Sequence, residues 1–139
     1  MTDGLRRRAV FDTNVIIAAL KSKNPDSPIV ELLKRWRAGE FILLYADDLL
    51  LEYREKFIAR NIDTALRIAF LASLSVLGEQ VKIVPDQIKP IVVNDPDDDD
   101  VVACAVAGNA THLVSYDAHL LDLGETYQGI TILDGLHFL

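Results

Sequence analysis

The apolar residues of this chain fall into short continuous runs, each bounded by polar or turn-forming residues. We predict strands over 41–45, 81–84, 112–115 and 130–133, and a first strand that ends near Asp12. Continuous apolar runs, rather than alternating ones, are typical of strands that helices cover on both faces of a mainly parallel sheet. In such sheets, ligands bind beyond the carboxyl ends of the strands.

Helix signals separate these strands almost throughout the chain. We expect a helix just after Asp12, with Thr13 or Asn14 near its cap. Further helices are predicted from Pro28 to the residue before Gly39, from Asp47 or Asp48 to about 58, and over about 63–77, 98–107 and 118–121. This alternation of strands and helices predicts the α/β class.

The composition is that of one globular domain. The chain has 139 residues, of which 50% are hydrophobic and 25% are charged, so we expect a single domain over 1–139. Its one cysteine, Cys104, excludes both a disulfide framework and a cysteine-rich zinc site. The sequence contains neither a long uncharged apolar stretch nor the apolar core of a signal peptide, and we therefore expect a cytoplasmic protein.

The charge is distributed unevenly. Residues 1–60 carry a balance of +2 and residues 61–139 one of −9, for a net charge of −7. A protein that binds nucleic acid by charge alone would be basic, so a plain nucleic-acid-binding module is disfavoured. Five of the six residues over 95–100 are aspartate, and so many like charges either face water or meet a cation.

Two aspartates directly follow predicted strands. Asp12 ends the first strand, and Asp117 lies just after the strand over 112–115, so both belong at the same edge of a parallel sheet. Either one alone could equally be a helix cap. The acidic run over 95–100, at the start of another predicted helix, makes a shared site the stronger interpretation.

Glu52 is a further candidate on geometric grounds. Leu49, Leu50, Tyr53 and Phe57 form an apolar stripe at helical spacing, and Glu52 lies at its flank, where a side chain can enter a cleft. The alternative is a surface glutamate that pairs with the lysine four residues later, which is usually a small effect.

The acidic run precedes a helical segment, 101–107, that is apolar on all sides and is therefore expected to be buried. A helix N-terminus favours nearby negative charge, but this does not explain five aspartates. An acidic, solvated loop with one capping residue stays open as an alternative. A calcium-binding loop is disfavoured, because Pro96 interrupts it, Asp100 replaces the required glycine and Val106 replaces the bidentate glutamate.

Taken in order, these motifs match a known family. They are Phe-Asp-Thr-Asn-Val at 11–15, Glu52 in a leucine-rich helix, Asp-Pro-Asp-Asp-Asp-Asp-Val-Val-Ala-Cys-Ala at 95–105 and Leu-Val-Ser-Tyr-Asp at 113–117. Over nearly its whole length the chain resembles the PIN-domain ribonucleases, in particular the toxin components of bacterial toxin–antitoxin pairs. Each motif alone is weak, whereas the ordered set is specific.

The resemblance implies a three-layer α/β/α sandwich with a central, mainly parallel sheet. It also implies cleavage of single-stranded RNA at Mg²⁺ or Mn²⁺ held by Asp12, Glu52, Asp99 and Asp117, with Asn14 and Ser115 as nearby polar positions. Oxygen ligands suit such hard cations, and the repulsion among four carboxylates would be relieved by a bound cation.

Within the acidic run, the family pattern aligns with Asp99. That pattern is an aspartate, two further residues, a branched apolar residue and then an alanine, which this chain has as Asp99-Asp100-Val101-Val102-Ala103. Asp98 is then expected to cap the helix, with Asp95 and Asp97 before it. Asp100 would match the aspartate of the family pattern only if the alignment moved by one residue.

The resemblance also implies homodimers and an inhibiting antitoxin protein. Eight basic residues are candidates for offsetting the acidic site and holding the RNA backbone, although solvated surface charge is the simpler interpretation of most of them: Arg6, Arg7, Arg8, Lys21, Lys23, Arg54, Lys56 and Arg60. The family more often has a basic residue just after the last aspartate, where this chain has Ala118 and His119. The histidines, His112, His119 and His137, lack metal-ligand spacing.

Two other functions stay open at this point. A phosphatase of the haloacid dehalogenase type also places an aspartate at the end of the first strand, but it needs a second aspartate two residues later, where this chain has Asn14. The third hypothesis is a domain that keeps the fold and binds another protein without catalysis.

Overall fold

The structure, a computed structural model, describes residues 6–83, 96–121 and 126–139, and for 96–99 and 118–119 it describes the backbone alone. The strands are β1 (Arg7–Phe11), β2 (Phe41–Tyr45), β3 (Glu79–Gln80), β4 (His112–Val114), β5 (Thr126–Tyr127) and β6 (Ile130–Leu133). The helices are α1 (Thr13–Lys21), α2 (Pro28–Arg37), α3 (Asp47–Ala59), α4 (Thr64–Leu77), α5 (Pro96–Ala107), α6 (Ala118–Leu121) and α7 (Gly135–Phe138).

The strands form one sheet in the order β3-β2-β1-β4-β6-β5. All neighbouring pairs are parallel except β5 and β6, which are antiparallel. Helices flank this sheet, so the predicted α/β fold with a mainly parallel central sheet is confirmed. No helix in the described ranges combines the length and the apolar character that crossing a membrane requires.

The core sits on both faces of the central strand, β1. Ala9, Val10 and Phe11 are all completely buried, although successive side chains of a strand point to opposite faces. Helix α5 packs against β1 and is buried along 101–105, as its apolar sequence predicts. On α3, Tyr53 and Phe57 form an aromatic cluster with Phe70 of α4 and Trp36 of α2.

Several predicted boundaries are confirmed. The strand over 41–45 has the predicted limits, and α2 begins at Pro28. Gly39 follows α2 with a φ of +83°, a left-handed conformation that glycine adopts without strain. Helix α4 ends at Leu77 before Gly78, and Asp63 caps its N-terminus by accepting a hydrogen bond from the Ala65 backbone N–H at 3.1 Å.

The cap of α1 is Asp12, whose side chain accepts from the Thr13 backbone N–H, so the interpretation of Asp12 as a helix cap is confirmed and Thr13 is the first helical residue. The predicted cap of α3 is wrong. That cap is Ala46, which makes no side-chain capping bond, and Asp47 and Asp48 lie in the first turn. The Asp47 carboxylate accepts a hydrogen bond from Gln80 Nε2 at 2.6 Å, so it faces the edge strand rather than the helix backbone.

The predicted strand over 81–84 is displaced. The structure places β3 at Glu79–Gln80, directly after Gly78, and only the Val81 N–H continues the pairing by bonding to the Tyr45 carbonyl at 2.7 Å. Residue 84 lies outside the described ranges. Both residues of β3 are exposed at the edge of the sheet, and an edge strand of this kind does not produce an apolar run.

Helix α5 begins two residues earlier than predicted, at Pro96, a residue that suits the first turn of a helix. Asp98 therefore lies inside the helix and is not its cap, and Asp97 does not precede the helix. Asp95 lies outside the described ranges. Strand β5 and helix α7 were not predicted, because both are very short.

Candidate functional site

The candidate site lies where the parallel strands β1 and β4 end, which we call the carboxyl edge. The register pairs Phe11 with Val114, so Asp12 and Ser115 follow side by side. The Asp12 backbone N–H donates to the Val114 carbonyl at 2.9 Å, which extends the ladder by one bond. The strand ends thus bring the first and the last acidic motif together, as predicted.

Asp12 is held on both carboxylate oxygens. The Thr13 backbone N–H donates to Oδ1 and the Ser115 hydroxyl donates to Oδ2, each at 2.8 Å. The side chain is only 5% exposed, and it caps α1, where the helix dipole favours a negative charge. The two interpretations of Asp12, helix cap and site residue, are therefore compatible.

Glu52 reaches this edge from α3. Its Oε2 accepts a hydrogen bond from the Thr13 hydroxyl at 2.6 Å, and the residue is half-buried. The next residue, Tyr53, donates its hydroxyl hydrogen bond to the Phe11 carbonyl and is completely buried. Two successive residues of α3 thus contact the residues on either side of Asp12, so Glu52 lies beside the end of β1, at the flank of the apolar stripe.

Asp117 joins the site through the loop after β4. Its backbone N–H donates to the Ser115 hydroxyl oxygen at 2.9 Å, and Ser115 is completely buried. Ser115 therefore links Asp117 to Asp12. Glu52, Thr13, Asp12, Ser115 and Asp117 form one continuous hydrogen-bonded series, which we call the acidic row.

The acidic run of α5 lies toward the same edge. The C-terminal end of α5 lies at the opposite edge, the amino edge, because the Gly108 carbonyl accepts hydrogen bonds from the guanidinium of Arg8 near the start of β1. The helix has 12 residues and a length of about 18 Å, enough to reach the carboxyl edge. Asp99 lies in its first turn, but the Asp99 side chain is outside the described part, and Asp100 is half-buried.

The pKa values reflect this burial. Burial raises the pKa of Tyr53 well above its usual value, and the nearby Cys104, Asp12 and Glu52 raise it further. The phenol hydrogen bond to Phe11 is therefore retained at neutral pH. Burial also raises the pKa of Cys104 to about 12, so this thiol is not a nucleophile at neutral pH.

Three of the proposed RNA-binding residues are directed elsewhere. Arg6 donates to the Gly39 carbonyl, Arg7 lies 3.9 Å from the centre of the Phe138 ring, and Arg8 pairs with Glu79. They lie at the amino edge, where they stabilise the sheet rather than face the acidic row. The other five basic candidates are exposed: Lys21, Lys23, Arg54, Lys56 and Arg60.

The donor chemistry of the acidic row fits a hard divalent cation. Within the described ranges no three acidic, histidine or cysteine side chains converge enough to hold a metal ion. Mg²⁺, however, needs only one or two carboxylates and completes its shell with water and substrate phosphate. The Asp12 and Glu52 carboxylates, which both accept hydrogen bonds from Thr13, are such a pair of oxygen ligands.

The positions of Thr13 and Tyr53 in the site are features that the sequence analysis missed. Thr13 was considered only as a helix cap, and Tyr53 only as part of an apolar stripe. Their place in the sequence could have indicated this role, because Thr13 is next to Asp12 and Tyr53 is next to Glu52.

The chain belongs to the PIN domain family, whose model matches residues 8–119. Its fold is similar to that in the crystal structure of VapBC2 from Rickettsia felis bound to a DNA fragment from their promoter, with a TM-score of 0.61, covering 90% of this chain and 96% of that chain. The two sequences are 15% identical, so this likeness concerns the fold. No curated protein has a matching sequence.

The hydrogen bond from Tyr53 gives a stability prediction. Tyr53→Phe leaves the buried Phe11 carbonyl without this donor, and we expect a loss of about 1–3 kcal/mol in the free energy of unfolding at neutral pH. The raised pKa of Tyr53 means that the neutral phenol stabilises the fold below pH ~10 and that this contribution disappears as the pH rises further. The difference between wild type and Tyr53→Phe should therefore shrink in alkaline solution.

Urea denaturation at a series of pH values measures this difference. Tyr45→Phe is the matched control, because the described ranges contain no hydrogen-bond partner for the half-buried Tyr45 hydroxyl. Equal losses in the free energy of unfolding for Tyr53→Phe and Tyr45→Phe would show that the hydrogen bond to Phe11 adds no stability of its own.

Proposed function

We propose that this protein is a metal-dependent endoribonuclease that cleaves single-stranded RNA at the carboxyl edge of its sheet. The acidic row is the observation that carries this proposal, because it brings the Asp12 and Glu52 carboxylates and the backbone of Asp117, all from separate elements, together around one strand end. Membership of the PIN domain family, whose domains are generally nucleases, supports the same conclusion.

Asp12, with Glu52 or with Asp117, would hold the cation, Mg²⁺ or Mn²⁺, together with Asp99 from the first turn of α5, and water and substrate phosphate would complete its shell. A bound divalent cation supplies a Lewis acid that activates a water and offsets charge in the phosphodiester transition state. The protein's own groups hold the Asp12 carboxylate in one orientation, since both of its oxygens accept hydrogen bonds.

The RNA backbone would lie along the surface beside the acidic row. Lys56 is exposed on α3 about one helical turn after Glu52, and Asn14 is exposed two residues after Asp12. Positive side chains beside an acidic centre attract phosphates and leave the carboxylates available to the cation. These residues, rather than the three arginines of the amino edge, are the proposed contacts.

We further propose that the nuclease is the toxin of a toxin–antitoxin pair and acts in the cytoplasm. The similar fold of VapBC2 supports this role. A groove of about 560 Å³ between α1, α2 and α4 offers a place for an antitoxin segment. Lys23, Lys34 and Arg37 border it, and Leu33 and Leu66 contribute apolar surface. Such a groove fits an acidic segment with apolar side chains, and it carries positive charge although the chain is acidic overall.

The first test is the loss of activity in Asp12→Asn. This variant removes a negative metal ligand, while asparagine still caps a helix and still accepts one of the two hydrogen bonds. We expect no cleavage of labelled single-stranded RNA in Mn²⁺, together with a cooperative thermal melt. Asp63→Asn is the matched control, because Asp63 also caps a helix but lies at α4, and this variant should cleave normally.

EDTA should abolish cleavage by the wild type, and a phosphomonoester should not be hydrolysed. Hydrolysis of the phosphomonoester without cleavage of RNA would favour the phosphatase alternative. Normal RNA cleavage by Asp12→Asn would rule out the assignment of Asp12, and no reaction with either substrate would favour the non-catalytic alternative.

The second test identifies the active aspartate of α5. Asp99→Asn should remove most RNA cleavage with little change in the melting temperature, because the family pattern aligns Asp99 with the metal ligand. Asp98→Asn is the control, since Asp98 is neither the predicted ligand nor the helix cap. An inactive Asp100→Asn beside an active Asp99→Asn would instead show that the register is displaced by one residue.

The third test concerns assembly, for which we propose a homodimer. Among the described residues, six of the large, exposed apolar side chains lie on α3 and α4: Leu51, Ile58, Leu66, Ile68, Val76 and Leu77. Exposed apolar side chains that form a contiguous patch mark interfaces, and their number on these two successive helices supports the dimer. Light scattering at about 50 µM should give a mass of about 31 kDa, roughly twice that of the 15.4 kDa chain. A mass of one chain would contradict the dimer.

A further inference from the structure

Thr13 donates hydrogen bonds to two different carboxylates of the site. Its backbone N–H donates to Asp12 Oδ1 at 2.8 Å, and its hydroxyl donates to Glu52 Oε2 at 2.6 Å. Thr13 is 4% exposed, so both bonds are largely shielded from water. One residue thus lies between two negative side chains that come from different elements.

The bond to Glu52 has the length of a strong interaction. A hydroxyl that donates to an ionised carboxylate at 2.5–2.7 Å forms a charge-assisted hydrogen bond, which is roughly twice as strong as a neutral one. Thr13 is also β-branched, so its side chain has few rotamers in a helix, and its burial restricts them further. The direction of the hydroxyl is therefore well defined.

Glu52 needs such a partner more than Asp12 does. Asp12 has a short side chain and follows directly from the strand end. Glu52 has a longer, flexible side chain on another helix, 39 residues after Thr13 in the chain. The Tyr53 bond to Phe11 fixes the backbone of α3 beside β1, whereas the Thr13 bond acts on the Glu52 carboxylate itself. Repulsion from Asp12 would favour rotation toward solvent.

We infer that Thr13 is a positioning residue of the metal site, whose hydroxyl directs the Glu52 carboxylate toward Asp12 so that both can bind one cation. This inference rests on the proposed function, because it assigns the pair of carboxylates to a divalent cation. Thr13 itself is no ligand in this account. It acts by reducing the reorganisation that cation binding requires of Glu52.

The test compares Thr13→Val with Thr13→Ser by titrating the full-length protein with Mn²⁺ alone and following the heat of binding. Both variants keep the backbone bond to Asp12, and valine nearly matches the shape of threonine but lacks the hydroxyl. We expect the Kd for Mn²⁺ to rise about 10-fold in Thr13→Val, as is usual when the partner of a metal ligand is removed. Thr13→Ser should restore the wild-type Kd.

A double-mutant cycle with Glu52→Gln shows whether Thr13 acts through Glu52. Glu52→Gln alone should weaken Mn²⁺ binding, and Thr13→Val should cause little further change in that background, because the carboxylate that it directs is absent. If Thr13 had only a structural role, its replacement by valine would weaken Mn²⁺ binding equally in both backgrounds. Thermal melts accompany each variant, and Thr13→Ala replaces Thr13→Val if the latter does not melt cooperatively.

The outcomes separate this inference from the proposed function. A wild type that binds Mn²⁺ and cleaves RNA, beside a Thr13→Val variant with unchanged Mn²⁺ affinity, would overturn the role of Thr13 alone. Equal weakening in Thr13→Val and Thr13→Ser would overturn it as well, because the hydroxyl would then be irrelevant. A wild type that binds no Mn²⁺ would overturn the proposed function together with this inference.

Discussion

The site depends on keeping several negative carboxylates close together at one edge of the sheet although they repel one another. Hydrogen-bond donors make this possible: Thr13 donates to both Glu52 and Asp12, and Ser115 donates to Asp12 while its oxygen accepts from the Asp117 backbone N–H. Both of these residues are buried, so their bonds are protected from competing water. A cation is the natural further partner of such an arrangement, because it offsets the charge that the donors only reduce.

The rest of the fold serves this arrangement through the parallel sheet. Because β1 and β4 are paired in parallel, their C-terminal neighbours Asp12 and Ser115 emerge at the same level. Helix α3 is tied to the end of β1 by the Tyr53 hydroxyl, which places Glu52 beside the strand end. The amino edge carries the opposite charge, with arginines that bind carbonyls and Glu79, so the two edges of the sheet differ in chemistry.

Much of this arrangement could be predicted from sequence, because it follows from local rules. The position of an aspartate after an apolar strand indicates the carboxyl edge, and the helical wheel places Glu52 at the flank of an apolar stripe. The roles of Thr13 and Tyr53 could not be predicted in this way, since they depend on how α3 packs against β1. The early start of α5 could not be predicted because capping signals compete among adjacent aspartates, and β3 was misplaced because an edge strand is not apolar.

The most direct measurement of the central claim is a crystal structure of the protein grown with Mn²⁺ and measured for its anomalous scattering. The account predicts an anomalous peak at the carboxyl edge, in contact with Asp12 and with Glu52 or Asp117. It also predicts that the Thr13 hydroxyl still donates to Glu52 when the ion is bound. An ion bound elsewhere, with Asp12 making no contact to it in a protein that cleaves RNA in Mn²⁺, would contradict the account.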